Sequence, residues 1–280
     1  MYKYKKQENC IEIEKDEYFS LEKTFDCGQC FRFVKKDGGF EGVAFNKRLS
    51  LFENEKSVFI YGITEEEFLN TFYSFFNLDK DYKKINESIF SLSAEHAAFL
   101  KEAESVSRGI RILKQEPFET LCSFIISQNN NIPRIRKIIN AMCEAYGEET
   151  DGAFSFPSAE KLFLAGEERL YELKMGFRAK YVFDAAKKVY LGEIDLNKIY
   201  SMSFFDALSY LTQIKGVGTK VASCVLLFSY NKYDSFPIDV WIQRVIDKYF
   251  DGSIPDFGEY KGIFQQYLFY YERYVQNKKG

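Results

Sequence analysis

The spacing of apolar residues changes along this 280-residue chain, and the change limits the folds open to it. In the first third, short alternating runs at 31–35, 40–45, 48–53 and Ser57–Tyr61 are parted by Lys36-Asp-Gly-Gly39, Asn46-Lys47 and Asn54-Glu-Lys56. Period-two alternation puts neighbouring side chains on opposite faces of a strand, and Asp-Gly-Gly is hairpin chemistry. An antiparallel sheet is therefore predicted. Thr64 and Glu67 form a capping-box pattern ahead of Phe68, Leu69, Phe72, Phe75 and Phe76, whose helical spacing reads as core. Beyond about residue 97 the period is mostly helical. Pro117 and Pro133 each open a helix, with Gln128-Asn-Asn-Asn131 between them and Gly147 closing the second. Further helices are predicted over 158–164, 167–174, 178–191 and 204–214. The expected fold class is α+β, with an antiparallel-sheet domain over 1–96 packed on a mostly helical domain over 97–280.

A 46% hydrophobic composition with 29 Phe and 20 Tyr suffices for two cores, yet no apolar run approaches the ~20 residues that cross a bilayer. Met1-Tyr-Lys-Tyr-Lys-Lys6 leads into polar residues, so no secretory signal is expected and a cytoplasmic location follows, at the nucleoid if the source is prokaryotic. The six cysteines are then expected as free thiols. Cys27-Gly-Gln-Cys30 is a lone CxxC without a second pair, and His96 is the single histidine. No metal-ligating set is predicted, and any catalysis has to rest chiefly on Lys, Asp, Glu or Cys.

The net charge of −3 argues weakly against a nucleic-acid binder. Residues 1–100 hold 14 Lys and Arg against 18 Asp and Glu, while 101–280 hold 24 against 23, so a polyanion site has to be local. Arg108, Arg111, Lys114, Arg134, Arg136 and Lys137, facing only Glu116 and Glu119, are one candidate; a solvated face is the plainer alternative.

The most informative stretch runs from Leu211 to Phe228. Apolar Leu208, Leu211 and Ile214 lead into Lys215-Gly-Val-Gly218, and a second helix begins at Thr219 with Val221, Ala222, Val225 and Leu226 inward. Two glycines two apart allow a sharp turn that leaves N–H groups pointing outward at a helix N-terminus, a place that favours phosphate. An ordinary helix connector is the other reading. Lys220 stands one residue into that helix, and Asp239 lies in Phe236-Pro-Ile-Asp-Val-Trp241 ahead of another, where it can be an N-cap.

Hairpin, lysine and Pro-x-Asp together resemble the helix-hairpin-helix DNA glycosylases, in particular the 8-oxoguanine DNA glycosylase branch. Further motifs agree: Gly28-Gln-Cys-Phe-Arg32, Ser127-Gln-Asn-Asn-Asn-Ile-Pro-Arg134, Gly176-Phe-Arg-Ala-Lys-Tyr181 and Gly262-Ile-Phe-Gln-Gln-Tyr-Leu-Phe269. The resemblance extends over nearly the whole chain, including its strand-rich start. Cys224 is the last cysteine, so the four-cysteine pattern of the iron–sulfur relatives is missing and no cluster is expected.

The resemblance implies a bifunctional enzyme of DNA repair that excises 8-oxoguanine from duplex DNA and nicks the abasic site. Lys220 is implied as the nucleophile that forms a Schiff base, with burial expected to depress its pKa, and Asp239 as the carboxylate that stabilises oxocarbenium character. The Gly28 carbonyl would accept from N7–H, which 8-oxoguanine has and guanine lacks, and glycine suits such close backbone approach. Cys224 and Phe269 would sandwich the base, and Gln265 would bind its pairing edge. Asn129 would fill the gap left by the base, Arg134 and Arg178 would contact the orphaned cytosine, and Phe177 would act as wedge. The hairpin residues Lys215, Gly216, Val217 and Gly218 would hold the DNA backbone, with a monovalent or calcium ion at their main-chain carbonyls as the sole cofactor the superfamily suggests. Phe177 and Trp241 stand where many members carry Tyr and His. The implied partner is 8-oxoguanine-containing duplex DNA, with a monomeric enzyme and no membrane. Two rivals remain: a non-catalytic DNA-binding protein using the same hairpin, and a glycosylase for another lesion such as an alkylated purine.

Overall fold

A computed structural model of the protein describes residues 2–92 and 94–279. Six strands, β1 (Tyr4–Lys6), β2 (Cys10–Glu14), β3 (Val34–Lys36), β4 (Gly39–Ala44), β5 (Lys47–Glu53) and β6 (Ser57–Tyr61), form one antiparallel sheet in the order β1-β2-β6-β5-β4-β3. The pairing Phe40 to Leu51 and Leu51 to Ile60 lines up buried side chains across three strands. On the sheet's inner face, Phe25, Phe33, Phe40, Phe68, Phe72, Phe75 and Phe76 build a phenylalanine-rich core with Phe25 and Phe33 ring centres 4.4 Å apart. Both halves of the Thr64/Glu67 capping box are present at the start of the Glu65–Glu67 turn, and a π turn over Phe68–Phe72 brings both Phe68 and Phe72 inward.

Three features differ from the expectation. The hairpin β1–β2 was hidden by its charged, short strands, and the helix Leu21–Asp26, capped by Ser20, by its brevity. The strand expected from residue 31 begins only at Val34. Arg32 explains this: its guanidinium reaches Cys143 Sγ at 2.9 Å and the Phe154 carbonyl, drawing the chain off the sheet toward the helices. The helices expected at 158–164 and 167–174 are both present: they part at Gly166 (φ 83°) within 159–170, and the second runs on into a π turn over Tyr171–Met175.

The helical body is built around Thr219–Tyr230, in which every side chain from Val221 onward is buried. Pro117–Ser127, Ile132–Tyr146, Ala179–Tyr190, Val240–Tyr249 and Lys261–Lys279 surround or flank it. The six cysteines are free and buried, four of them in the helical core and Cys30 in the sheet core. No helix among the described residues is long and apolar enough to cross a membrane.

The basic segment 108–137 is not one patch. Arg108 pairs with Glu104 and Glu17 at 2.7 and 2.6 Å. Arg111 is fully buried: it donates to the carbonyls of Phe76, Asn77, Lys80 and Tyr18 and to Tyr2 Oη, between the rings of Tyr2, Tyr82 and Phe19. A buried guanidinium is tolerated when its donors are met in this way, so its role is to join segments rather than to bind a polyanion. Arg134 and Lys137 remain exposed.

Candidate active site

A cavity of about 440 Å³ opens between the sheet-bearing part and the helical body, and Gly28, Lys220, Cys224, Asp239, Gln265 and Phe269 all line it. Residues from both ends of the chain thus meet at one place. Asp239 caps Val240–Tyr249, its Oδ1 accepting from the N–H groups of Trp241 and Ile242 at 3.0 and 2.9 Å. That fixes one carboxylate oxygen and aims the group into the cavity. Lys220 enters from the first turn of Thr219–Tyr230, half-buried, its Nζ 5.5 Å over the Phe124 ring. It forms no ion pair among the described residues, so its amine is not tied to Asp239. Phe124 stacks on Phe228 with 5.3 Å between centres, giving an aromatic floor. Burial pushes the Cys224 thiol up to about 11, with Asp239 raising and Lys220 lowering it, which places all three groups within electrostatic reach.

The opposite wall is Lys261–Lys279 with the turn at 27–30. Gly28 has φ +80°, and a Cβ added there would lie 3.3 Å from Phe269 Cε1, so glycine meets both the backbone and the steric requirement. Gln29 and Gln266 hold this turn: Gln29 Nε2 donates to the Thr24 and Arg111 carbonyls at 2.9 and 2.7 Å, and Gln266 Nε2 to the Cys27 carbonyl. Gln265 Nε2 donates to the Pro237 carbonyl at 3.0 Å, while its Oε1 is buried without a partner. An orphaned buried acceptor costs on the order of 1–3 kcal/mol and awaits a donor from whatever enters.

On the outer rim, Asn129 is exposed in a left-handed conformation, φ 48°. Arg178 is only 3% exposed; it donates to the Gln128 carbonyl and, at 2.7 Å, to that of Asn129, so it holds the loop that presents Asn129. The same guanidinium lies 4.4 Å over the half-exposed Phe177 ring. Arg134 is exposed and its Nη2 reaches the Lys174 carbonyl at 3.4 Å. Along the hairpin, Lys215 N–H donates to Asp184 at 2.8 Å and Val217 N–H to the Ile214 carbonyl at 3.0 Å. Gly216 (φ +81°) lies against the Tyr181 ring, where a Cβ would stand 2.3 Å from a ring carbon. Gly218 is the N-cap and faces open space, so the first N–H groups of Thr219–Tyr230 have no side-chain cap and an anion has room to approach them.

Arg273 and Gln266 are among the cavity residues given no role from the sequence. Arg273 follows Gln265 and Phe269 at steps of four on one helix, a spacing that places all three on one face. Trp241 also lines the cavity and carries Arg244 over its ring at 4.9 Å.

Two family models match adjoining parts of the chain: 8-oxoguanine DNA glycosylase, N-terminal domain, over residues 11–121, and HhH-GPD superfamily base excision DNA repair protein over 122–254. Among solved structures, the Clostridium acetobutylicum 8-oxoguanine glycosylase/lyase, in complex with duplex DNA containing cytosine opposite 8-oxoguanine, is 37% identical with a TM-score of 0.90, covering 99% of this chain and 98% of its own. A DNA complex of the protein called MBOgg1 is 38% identical with a TM-score of 0.91, covering 99% of both chains. The N-glycosylase/DNA lyase of Saccharomyces cerevisiae is 36% identical over 187 residues, 61% of this chain and 48% of the yeast protein, so the match spans about half of that relative. A probable N-glycosylase/DNA lyase of Methanothermobacter thermautotrophicus is 30% identical, over 60% of this chain and 64% of its own. With both models in sequence order and the fold shared over the full length, the chain belongs to the 8-oxoguanine DNA glycosylase family of the HhH-GPD superfamily.

Proposed function

We propose that the protein excises 8-oxoguanine from duplex DNA through a Schiff base on Lys220 and then cleaves the strand at the abasic site. The observation that carries this reading is the meeting of an amine free of ion pairs, a carboxylate fixed by its helix cap and an orphaned acceptor, Gln265 Oε1, in one cavity of base size. The lesion swings out of the stack into the cavity. Phe269 takes one face of the ring and Cys224 the other. Gln265 Oε1 accepts from the guanine pairing edge, whose N1–H and N2–H are donors. The Gly28 carbonyl accepts from N7–H; unmodified guanine turns a lone pair toward it instead.

Lys220 Nζ, as the free amine, attacks C1′ while the glycosidic bond breaks and its electron pair departs on the base, which takes up a proton. Asp239 stabilises the positive charge that develops on the sugar. Ring opening gives the imine; loss of a C2′ proton then expels the 3′ phosphate, and water releases the enzyme. Hairpin N–H groups at Gly216 and Gly218 and in the first turn of Thr219–Tyr230 hold a backbone phosphate. Among the described residues, the carbonyls of Lys215, Gly216 and Val217 accept no main-chain hydrogen bond, so they suit the cation expected there, which would offset phosphate charge. Asn129 fills the vacated place, Phe177 wedges the neighbouring step, Arg134 meets the orphaned cytosine, and Arg178 acts there together with its hold on the Asn129 loop.

Incubation with an 8-oxoguanine·C duplex and borohydride tests the chemistry. A covalent protein–DNA band from the unaltered chain and none from Lys220→Gln is the expected result. If neither chain is trapped although the duplex is bound, the lysine mechanism fails and a water-using glycosylase or a binding protein takes its place.

A further inference from the structure

Three groups converge at one corner of the cavity. The point where a Gly28 Cβ would sit is 3.3 Å from Phe269 Cε1 and 3.7 Å from Arg273 Nη1. The Arg273 guanidinium lies over the Phe269 ring, Cζ 5.5 Å from its centre, and Nη1 donates to the Asp26 carbonyl at 3.1 Å. That bond anchors the head of the side chain beside the turn that carries Gly28. Guanidinium has five N–H donors in a fixed plane, and among the described residues one hydrogen bond engages them. The remaining donors lie on the cavity lining beside Gly28, whose carbonyl is the acceptor assigned to N7–H.

We propose that Arg273 is a specificity residue that donates a hydrogen bond to the C8 oxygen of the lesion. This rests on the base-excision reading above. In 8-oxoguanine the N7–H donor and the C8 oxygen acceptor sit on adjacent ring atoms. A complementary protein edge has to offer an acceptor followed by a donor. The Gly28 carbonyl and the Arg273 guanidinium form such a pair, held by the same turn. Unmodified guanine carries hydrogen at C8, so the guanidinium faces no acceptor there. The lesion is thereby read at both atoms that oxidation changes. A charged donor also favours the transition state, because electron density moves onto the departing base as the glycosidic bond breaks.

Single-turnover excision is measured for the unaltered protein, Arg273→Leu and Arg273→Lys on two duplexes opposite cytosine. One holds 8-oxoguanine; the other holds 8-thioxoguanine, which keeps N7–H but offers sulfur, a weak acceptor, at C8. Cleavage of preformed abasic DNA by the same proteins reports the lysine chemistry without a base to read. For Arg273→Leu the rate on 8-oxoguanine falls about ten- to a hundredfold relative to abasic cleavage, and the preference for oxygen over sulfur collapses toward unity. Arg273→Lys retains part of that preference. If Arg273→Leu keeps the full oxygen-over-sulfur preference, the proposal is overturned. If it weakens lesion and abasic DNA alike and flattens the salt dependence, Arg273 is a phosphate contact and the proposal is likewise overturned. A failure of the base-excision reading looks different, because the unaltered protein then excises neither base.

Discussion

Asp239 caps a helix, and in the proposed mechanism the same carboxylate also stabilises charge on the sugar; the two purposes can be separated. Its Oδ1 receives both cap hydrogen bonds, from Trp241 and Ile242. Asparagine also offers an Oδ1 at that position, so Asp239→Asn keeps the cap while removing the charge. It is expected to melt within about 1 °C of the unaltered protein yet lose roughly a hundredfold or more in excision rate. Asp239→Ala loses the cap as well, about 1 kcal/mol, seen as a melting point lower by ~2–4 °C. Equal excision by Asp239→Asn and the parent would remove Asp239 from the chemistry. The lysine just inside a glycine hairpin and the Asp before an apolar helix each had an ordinary structural reading as well, and it was their combination in a family pattern that singled them out; the structure brings both to one cavity. Arg273 was not readable in the same way, since an arginine four residues past Phe269 on a mixed-polarity helix is an ordinary surface pattern until Gly28 is brought beside it.

At the scale of elements, the hairpin depends on two unlike glycines. Gly218 is open, whereas Gly216 combines φ +81° with a Tyr181 ring where its Cβ would go. Gly216→Ala therefore meets a backbone cost of about 1 kcal/mol and a collision. It should lower the melting point and weaken duplex binding together. Adding Tyr181→Ala relieves the collision and leaves the backbone term, so the double variant should bind better than Gly216→Ala alone; a double variant that binds no better would show that the ring does not set the turn. The helices opened by Pro117 and Pro133 and those near 178–191 and 204–214 were legible from period and proline position, because each buries an apolar face, whereas Lys261–Lys279 was not predicted as a helix. The strands β1 and β2 were not: Tyr4-Lys-Lys6 has no apolar alternation, and these residues become a strand only because β6 offers β2 an edge and β2 in turn offers one to β1.

For the molecule as a whole, the two cores do not divide neatly along the chain. Cys27 and Phe31 pack in the helical core, Leu113 packs in the sheet core, and Arg111 ties the segments between them. Contacts so distant in sequence cannot be inferred from local pattern, and they explain why Arg111, one of the arginines of the basic segment, is interior. Near this seam lies Glu119, whose carboxyl burial pushes up from an ordinary 4.5 to about 8, against the pull of Arg32. Between those two values the folded protein keeps a proton that the unfolded chain releases. Stability contributed by this group is therefore greatest at low pH and falls as pH rises toward 8. Glu119→Gln cannot ionise, so its stability advantage over the parent should widen by a few kcal/mol between pH 5 and pH 8.5 in denaturant titrations. A constant difference across that range would mean that Glu119 is charged in the folded protein throughout.

The buried cysteines bear on the conditions under which the molecule can keep working. A thiol reacts with peroxide as its thiolate, and burial pushes Cys224 to about 11 and both Cys27 and Cys30 to about 12. Near neutral pH only about one in several thousand Cys224 side chains is then ionised, beside an amine that stays accessible. In the proposed reading this sulfur lies against the base, and burial disfavours the thiolate through which it would react. The same oxidants that damage guanine therefore meet, in the cavity proposed to receive it, a thiol that burial keeps protonated.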